Sequence, residues 1–323
     1  MSLLKKKLIV VFFILIFGIS NSYSAAVTQI DKQVFADGDG EDLSSVMGDV
    51  VFNNDGTKMF TSYSNSTVNN TNDDVINEYT LSVPYDISSA TYAGASERCA
   101  VTDGEDGSKD RAMLSFSFSD DGMKIFVAQR GLNGVANSFV NRLDLTAAFD
   151  VSTCVYINEI DVDTGLLQNG STAGPRVNTG GRNNLQGLDI TNDGTKMFLT
   201  MNDRDGNQSV KKYNFATPYD LTTITIDPSA IVLQKENPFG IFFGNNGKRL
   251  FVSFIGVSPN KGIIEQYTLD TAYDLSSFTL DGQIGLEEMD SDLDDLINVS
   301  VSYTHLRAHE TPEHRVCRLL LEK

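Results

Sequence analysis

The stretch NDGTKMF occupies residues 54–60 and recurs, letter for letter, at residues 192–198. It is either a duplicated binding site or a turn that a repeating fold makes each time. Its imperfect relatives decide between the two. Anchored on the glycine, four copies stand out, at Gly56, Gly122, Gly194 and Gly247, with spacings of 66, 72 and 53 residues. Asp or Asn precedes each glycine (Asp55, Asp121, Asp193, Asn246), and a base follows two residues on (Lys58, Lys124, Lys196, Arg249). The positions four and six before the glycine are apolar in every copy: Phe52 and Val50, Phe118 and Phe116, Ile190 and Leu188, Phe243 and Ile241. Alternation of that kind is a strand signature. Asp-Gly or Asn-Gly between two such runs reads as a tight hairpin, because glycine reaches positive φ without a Cβ clash.

Each copy has a second half. VINEYTL (75–81), FVNRLDL (139–145), VKKYNFA (210–216) and IIEQYTL (263–269) read as a third strand. An aromatic-Asp-aliphatic-Ser/Thr element follows at Tyr85-Asp86, Phe149-Asp150, Tyr219-Asp220 and Tyr273-Asp274, and a short fourth strand completes the unit. The recurring aspartates read as turn caps rather than catalytic acids. Four-stranded antiparallel units at this period are β-propeller blades with loops of uneven length. One blade cannot bury both faces alone, so neighbours must stack. The expected fold is all-β: four blades at about 46–93, 112–160, 185–230 and 238–284, read as part of a truncated larger propeller.

The DGTK and YDLS/YDIS elements, over roughly residues 46–284, resemble the bacterial exported β-propellers with YVTN-type repeats. The resemblance implies a multi-bladed propeller and leaves the ligand open. Related architectures include lactonases and quinoprotein dehydrogenases, but no enzyme-specific motif of either is present.

Both termini differ from this body. Residues 1–24 begin with Lys5, Lys6 and Lys7, run through the apolar Leu8–Ile19 and close on Ser22 and Ser24, the pattern of a cleaved secretory signal. The apolar run is too short to favour a transmembrane helix. The expected location is therefore secreted or periplasmic, with no transmembrane span in the mature chain. Residues 25–45 read as a lead-in strand that helps close a ring, and 285–300 as an acidic linker or the start of a further element. Residues 301–323 hold all three histidines, His305, His309 and His314, and resemble the translation of a sequencing-library adapter rather than native protein.

The charge of the body narrows its partners. The chain has 25 basic and 43 acidic residues; the leader holds three lysines, and the tail four basic and three acidic residues. That leaves 18 bases against 40 acids over 25–300, a formal charge of −22. Such a surface repels nucleic acid and anionic membranes and suits divalent cations or cationic partners. With neither His nor Trp in the body, a Ser-His-Asp arrangement or a His-ligated metal centre cannot be built from it. No catalytic or cofactor-binding residue is assigned.

Calcium is the one ion with candidate ligands, at Asp203, Asp205 and Asn207 and at Asp37, Asp39 and Glu41. Both segments alternate oxygen donors but lack the full calcium-loop pattern, since Asp42 stands where a glycine is needed and the 203 loop lacks its closing Glu. Solvated acidic turns are the stronger reading. Cys99 and Cys154 either form a disulfide, which export permits, or remain two thiols.

Chain topology then orients the function. In a four-stranded meander, the first-to-second and third-to-fourth turns share one end of the blade. Here the first of those turns is short and repeated. The opposite end carries long loops that differ in every copy, over about 63–74, 129–138, 201–209 and 254–262, and function on rigid scaffolds concentrates in such loops. The leading expectation is a non-enzymatic scaffold binding a protein, glycan or small ligand on that face. A propeller enzyme of lactonase or lyase type, or an adhesive module of a larger surface protein, are the alternatives.

Overall fold

A computed structural model describes residues 47–63, 74–101, 111–131, 138–162, 166–167, 184–202, 208–255 and 262–285. They lie within one compact unit, and their regular structure is strand with short 3-10 turns. Blade 1 comprises β1 (Met47–Phe52), β2 (Lys58–Tyr63), β3 (Val75–Leu81), β4 (Ala90–Tyr92) and β5 (Cys99–Ala100). Blade 2 comprises β6 (Arg111–Phe118), β7 (Lys124–Gly131), β8 (Ser138–Asp144), β9 (Val155–Asp161) and β10 (Leu166–Leu167). Blade 3 holds β11 (Asn184–Ile190), β12 (Lys196–Asn202), β13 (Gln208–Phe215) and β14 (Ile224–Leu233). Blade 4 holds β15 (Pro238–Gly244), β16 (Arg249–Ile255), β17 (Gly262–Leu269) and β18 (Phe278–Gly285).

Each sheet is an antiparallel meander, and the four are arranged as a β-propeller. Blades 3 and 4 have four strands, as expected. Blade 1 departs from that plan: its outer strand is in two pieces, β4 and β5, both paired to β3. Blade 2 gains β10 as a fifth strand. The first strands β1, β6, β11 and β15 pack successively on one another, and three of the four core clusters lie between blades, the fourth (Phe52, Met59, Tyr79 and Leu81) belonging to blade 1 alone.

The opening motif explains both the turn and the interface. Gly56, Gly122, Gly194 and Gly247 have φ of 73°, 68°, 65° and 82°. A Cβ on any of them would stand 2.4 Å from the ring of Tyr85, Phe149, Tyr219 or Tyr273 respectively. Glycine is thus required twice over, for the left-handed backbone and for the aromatic lying on its Cα. The backbone N–H of each aromatic donates to the glycine carbonyl, at 3.0, 2.9, 2.9 and 2.9 Å. The two sequence elements, 25 to 29 residues apart, form one lock.

The phenylalanine that ends NDGTKMF reaches the next blade. Phe60 packs on Phe149 of blade 2 with ring centroids 6.5 Å apart and planes at 25°. Phe126 meets Tyr219 at 6.1 Å and 27°, and Phe198 meets Tyr273 at 6.0 Å and 27°. All three phenylalanines are fully buried, each contributing up to about 3 kcal/mol by area alone. Lys58 crosses the same interface to donate to the Phe149 carbonyl at 2.9 Å while paired with Glu78.

The turn in blade 4 is a correction to the expectation that all four copies keep one geometry. In blades 1–3 the residue three before the glycine accepts a backbone N–H across the turn: Asn53 from Lys58, Ser119 from Lys124 and Thr191 from Lys196. Gly244 stands at that position in blade 4 and has no side chain to accept. The loop there winds instead through a 3-10 turn, Asn245–Gly247, with Asn245 and Asn246 both left-handed. Asn is the non-glycine residue that tolerates this conformation best.

Candidate functional site

The two ends of the blades differ in chemistry. At the short-turn end the polar side chains are consumed locally. Asp55, Asp121 and Asp193 accept the hydroxyls of Thr57, Ser119 and Thr191 and the N–H of Thr57, Met123 and Thr195, bonds that hold their carboxyls below the usual range, at Asp193 against the raising effect of desolvation. Of the four repeated motif aspartates, Asp86, Asp220 and Asp274 accept the N–H two residues on, and Asp150 accepts the Ser152 hydroxyl. They are turn caps.

While Asn53 sits at a short turn and Asn77, Glu78 and Glu265 lie in mid-strand, most of the buried acids and amides lie toward the other end, where the first and third strands begin and the second and fourth finish. Asp49, Asp74, Gln129, Asn141, Glu159, Asp161, Gln186 and Gln208 are buried there. Part of this set stitches blades together. Asp74 accepts the Met113 N–H at 2.9 Å and the Gln129 amide at 3.3 Å, and Gln129 in turn accepts from Asn141 at 2.7 Å. Ser138 accepts the Leu185 N–H at 3.3 Å.

Near the axis the first strands carry a second polar chain. Every one of them has a register shift close to its start, between Met47 and Val50, Met113 and Ser115, Leu185 and Gly187, and Pro238 and Ile241. A bulge leaves backbone groups off the ladder, and hydroxyls of the second strand serve them. Asp49, Gly187 and Gly240 donate their N–H to Ser62, Thr200 and Ser253, each at 2.7 Å. The Asp49 carboxylate accepts the Ser115 hydroxyl at 2.7 Å and the Phe116 N–H at 3.3 Å. Ser115 Oγ accepts the Leu188 N–H at 3.2 Å. Asp189 accepts the Phe243 N–H at 2.9 Å. Blades 1 to 2, 2 to 3 and 3 to 4 are thereby linked along the axis.

Burial pushes the Asp49 carboxyl up to about 7, against the lowering effect of its bonds to Ser115, Phe116 and Val50. Desolvation likewise raises Asp189 to about 7, and the charge of Asp49 adds to it. Asp49 is enclosed, whereas Asp189 keeps partial exposure. Asp189 is thus a carboxyl poised near neutrality, partly open to solvent on an inner strand, chemistry suited to accepting or donating one proton.

Neither aspartate is a sequence-stated candidate. The available signal was an acid at an interior position of an otherwise alternating apolar strand, in GDVVF at 48–52 and GLDIT at 187–191. The calcium candidates Asp203, Asp205, Asn207, Asp37, Asp39 and Glu41 lie outside the described residues, as do 1–46, 286–300 and the tail. Among the described residues no group of three His, Cys, Asp or Glu is placed to hold a metal ion, and no helix is long and apolar enough to cross a membrane. Cys99 and Cys154 are disulfide-bonded, with Cα atoms 5.8 Å apart, and the bond joins β5 of blade 1 to the 3-10 turn before β9 of blade 2.

No family model and no curated protein matches the sequence. Solved structures do resemble the fold. One, from Bacteroides fragilis and provisionally described as a 6-phosphogluconolactonase, is 16% identical over 76% of this chain and 57% of its own, with a TM-score of 0.42. The periplasmic gluconolactonase of Pseudomonas aeruginosa is 11% identical over 75% of this chain and 73% of its own, at 0.43. An α-L-arabinofuranosidase from Lactobacillus brevis is 12% identical over 74% and 73%, at 0.40. The match thus spans just over half of the first of these, and at such identities the likeness is one of fold.

Proposed function

We propose that the protein is an exported β-propeller scaffold, of the YVTN-type repeat class, that binds a protein, glycan or small ligand on its long-loop face. The observation that carries this reading is the division of labour between the two ends. The short-turn end is the same lock in every blade, its glycines, aromatics and aspartates already engaged with one another. Most of the buried acids and amides lie toward the opposite end, whose connecting segments never repeat in sequence. An acidic body favours cationic groups in the ligand. Calcium held in the 203–207 or 37–41 segments is a subsidiary proposal resting on their alternating oxygen donors.

Immobilisation in two orientations tests the reading. Attachment through Asn54→Cys on the short turns should leave hits on glycan, peptide and metabolite arrays. Attachment through Asn133→Cys, in the loop between β7 and β8, should abolish them. Equal binding in both orientations would reject the face assignment.

The enzyme reading, of lactonase or lyase type, is favoured by one observation, the near-neutral Asp189 beside the axis. Under it, turnover of lactones or polyuronides would fall at least about a hundredfold in Asp189→Asn, the usual worth of a general acid or base. Absence of any turnover by the wild-type protein would leave Asp189 as a link between blades 3 and 4.

A further inference from the structure

Arg130 is a cation that the described fold leaves unused. It stands near the end of β7, paired in register with Ala112 of β6 and Ser138 of β8. Residues two apart share a strand face, so Arg130 lies on the side of β7 that carries Phe126 and Ala128. That side is turned to blade 3: Phe126 stacks on Tyr219 there, and Ala128 belongs to the apolar cluster joining blades 2 and 3. The arginine thus sits where that interface opens toward the long-loop end. Its register partner Ser138 accepts the Leu185 N–H of blade 3 at 3.3 Å.

The charge has no counterpart. Arg130 Nε is shut off from solvent without a hydrogen-bond acceptor, and among the described residues no ion pair or hydrogen bond engages the guanidinium. The residue as a whole keeps partial exposure, which leaves a way in from solvent. Arg142, placed by register on the same blade face, is a structural arginine by contrast, forking Asp144 with two bonds of 2.8 Å. Those bonds raise the Arg142 pKa, whereas burial lowers that of Arg130 and nothing offsets it. Buried acids of the same end occupy the other face. Asp74 accepts from Gln129, and Asp161 and Glu159 pair in register with Phe139 and Asn141, on the Gln129 side. Nor does the propeller plan call for an arginine, since the same position counted from the motif glycine is Asn202 in blade 3 and Ile255 in blade 4. An unpaired, desolvated charge costs stability, and a ligand anion removes that cost on binding.

We propose that Arg130 anchors an anion site at the long-loop end of the interface between blades 2 and 3, and that the group it takes is a carboxylate. A guanidinium presents a planar fork that matches carboxylate and phosphate. The formal charge of −22 over residues 25–300 decides between them, because it opposes a doubly charged phosphate more than a singly charged carboxylate. The site rests on the long-loop reading and deepens it by naming the chemistry of one ligand group. Its test is read at Arg130 itself, so its failure and that of the face assignment are separate results.

The Arg130 Nε–H resonance of the nitrogen-labelled whole chain, titrated at constant ionic strength, reports occupancy. Sodium glucuronate and N-acetylglycine, an acid sugar and a mimic of a peptide terminus, should give saturable shifts. Glucose and N-acetylglycinamide should give none. The tighter of the two acids names the source of the carboxylate. Arg130→Lys should weaken binding about tenfold, by losing the fork while keeping the charge, and Arg130→Met should abolish it. Because the guanidinium has no structural partner, Arg130→Met should melt no more than about 3 °C below wild type. A flat response to both acids, phosphate binding more tightly than either, or binding that survives in Arg130→Met would overturn the proposal. So would a larger fall in the melting temperature of Arg130→Met, which would assign the guanidinium to the fold.

Discussion

Substituting Gly194 tests whether the repeated heptapeptide is a folding element. In Gly194→Ala two costs arise. The left-handed backbone, at φ 65°, costs an L-residue about 1–2 kcal/mol. The new Cβ would also stand 2.4 Å from Tyr219, more than an ångström inside ordinary contact. That ring cannot simply withdraw, because Phe126 stacks on it at 6.1 Å and its own N–H is bonded to Gly194 at 2.9 Å. Overpacking of this kind costs about 1–3 kcal/mol, so the expected total is about 2–5 kcal/mol. For a chain of this size each kcal/mol moves the melting temperature by about 2–4 °C. Calorimetry and urea titration of Gly194→Ala, Tyr219→Ala and the double variant give the partition. The double variant should be less destabilised than the sum by about 1–3 kcal/mol, since removing the ring removes the clash. Gly194→Asn adds a control: it tolerates the backbone but not the contact, and should recover only the backbone share. A Gly194→Ala protein within about 0.5 kcal/mol of wild type, or strict additivity in the cycle, would refute the lock.

Other expectations follow from the same structure. Asp49, raised from 3.8 to about 7, favours the folded state while protonated, so its contribution is full below about pH 4 and is lost as pH rises through about 7. Urea midpoints should fall over that window by up to about 4 kcal/mol in stability, and the slope should flatten in Asp49→Asn. Reducing the Cys99–Cys154 bond, which spans 55 residues, should cost about 4 kcal/mol in the chain-entropy model. The melting point of Cys99→Ser/Cys154→Ser should match that of the reduced wild type. If the acidic segments are solvated turns, chelation should leave the melting temperature unchanged, whereas a calcium-dependent rise would assign ions to 203–207 or 37–41.

Much of the fold is legible in the sequence because its turns are spelled out. Glycine and the preceding Asp or Asn mark each hairpin, and period-two apolar residues mark the strands on either side. What does not show in the letters is that Gly194 and Tyr219, 25 residues apart, are one contact. Nor does a turn motif reveal that its last letter, Phe198, belongs to an interface with the following blade. The departure in blade 4 was readable only from Gly244, three residues upstream of the motif glycine, a position whose role in accepting an N–H emerges from the bonds of Asn53, Ser119 and Thr191. Site chemistry was the least legible. Forty acids over 25–300 make any pair unremarkable on paper, and only burial separates Asp49 and Asp189 from the capping aspartates.

The central claim is that one end of each blade serves folding and the other serves binding. It is tested most directly by a crossed measurement of stability and binding on two variants. Replacing 132–137 and 203–207 with Gly-Ser segments of equal length should abolish array binding while leaving the melting temperature within about 2 °C, the effect of under 1 kcal/mol. Gly194→Ala should do the reverse, lowering the melting temperature and leaving binding intact below it. Binding that survives the loop replacement but is lost in the turn variant would contradict the account.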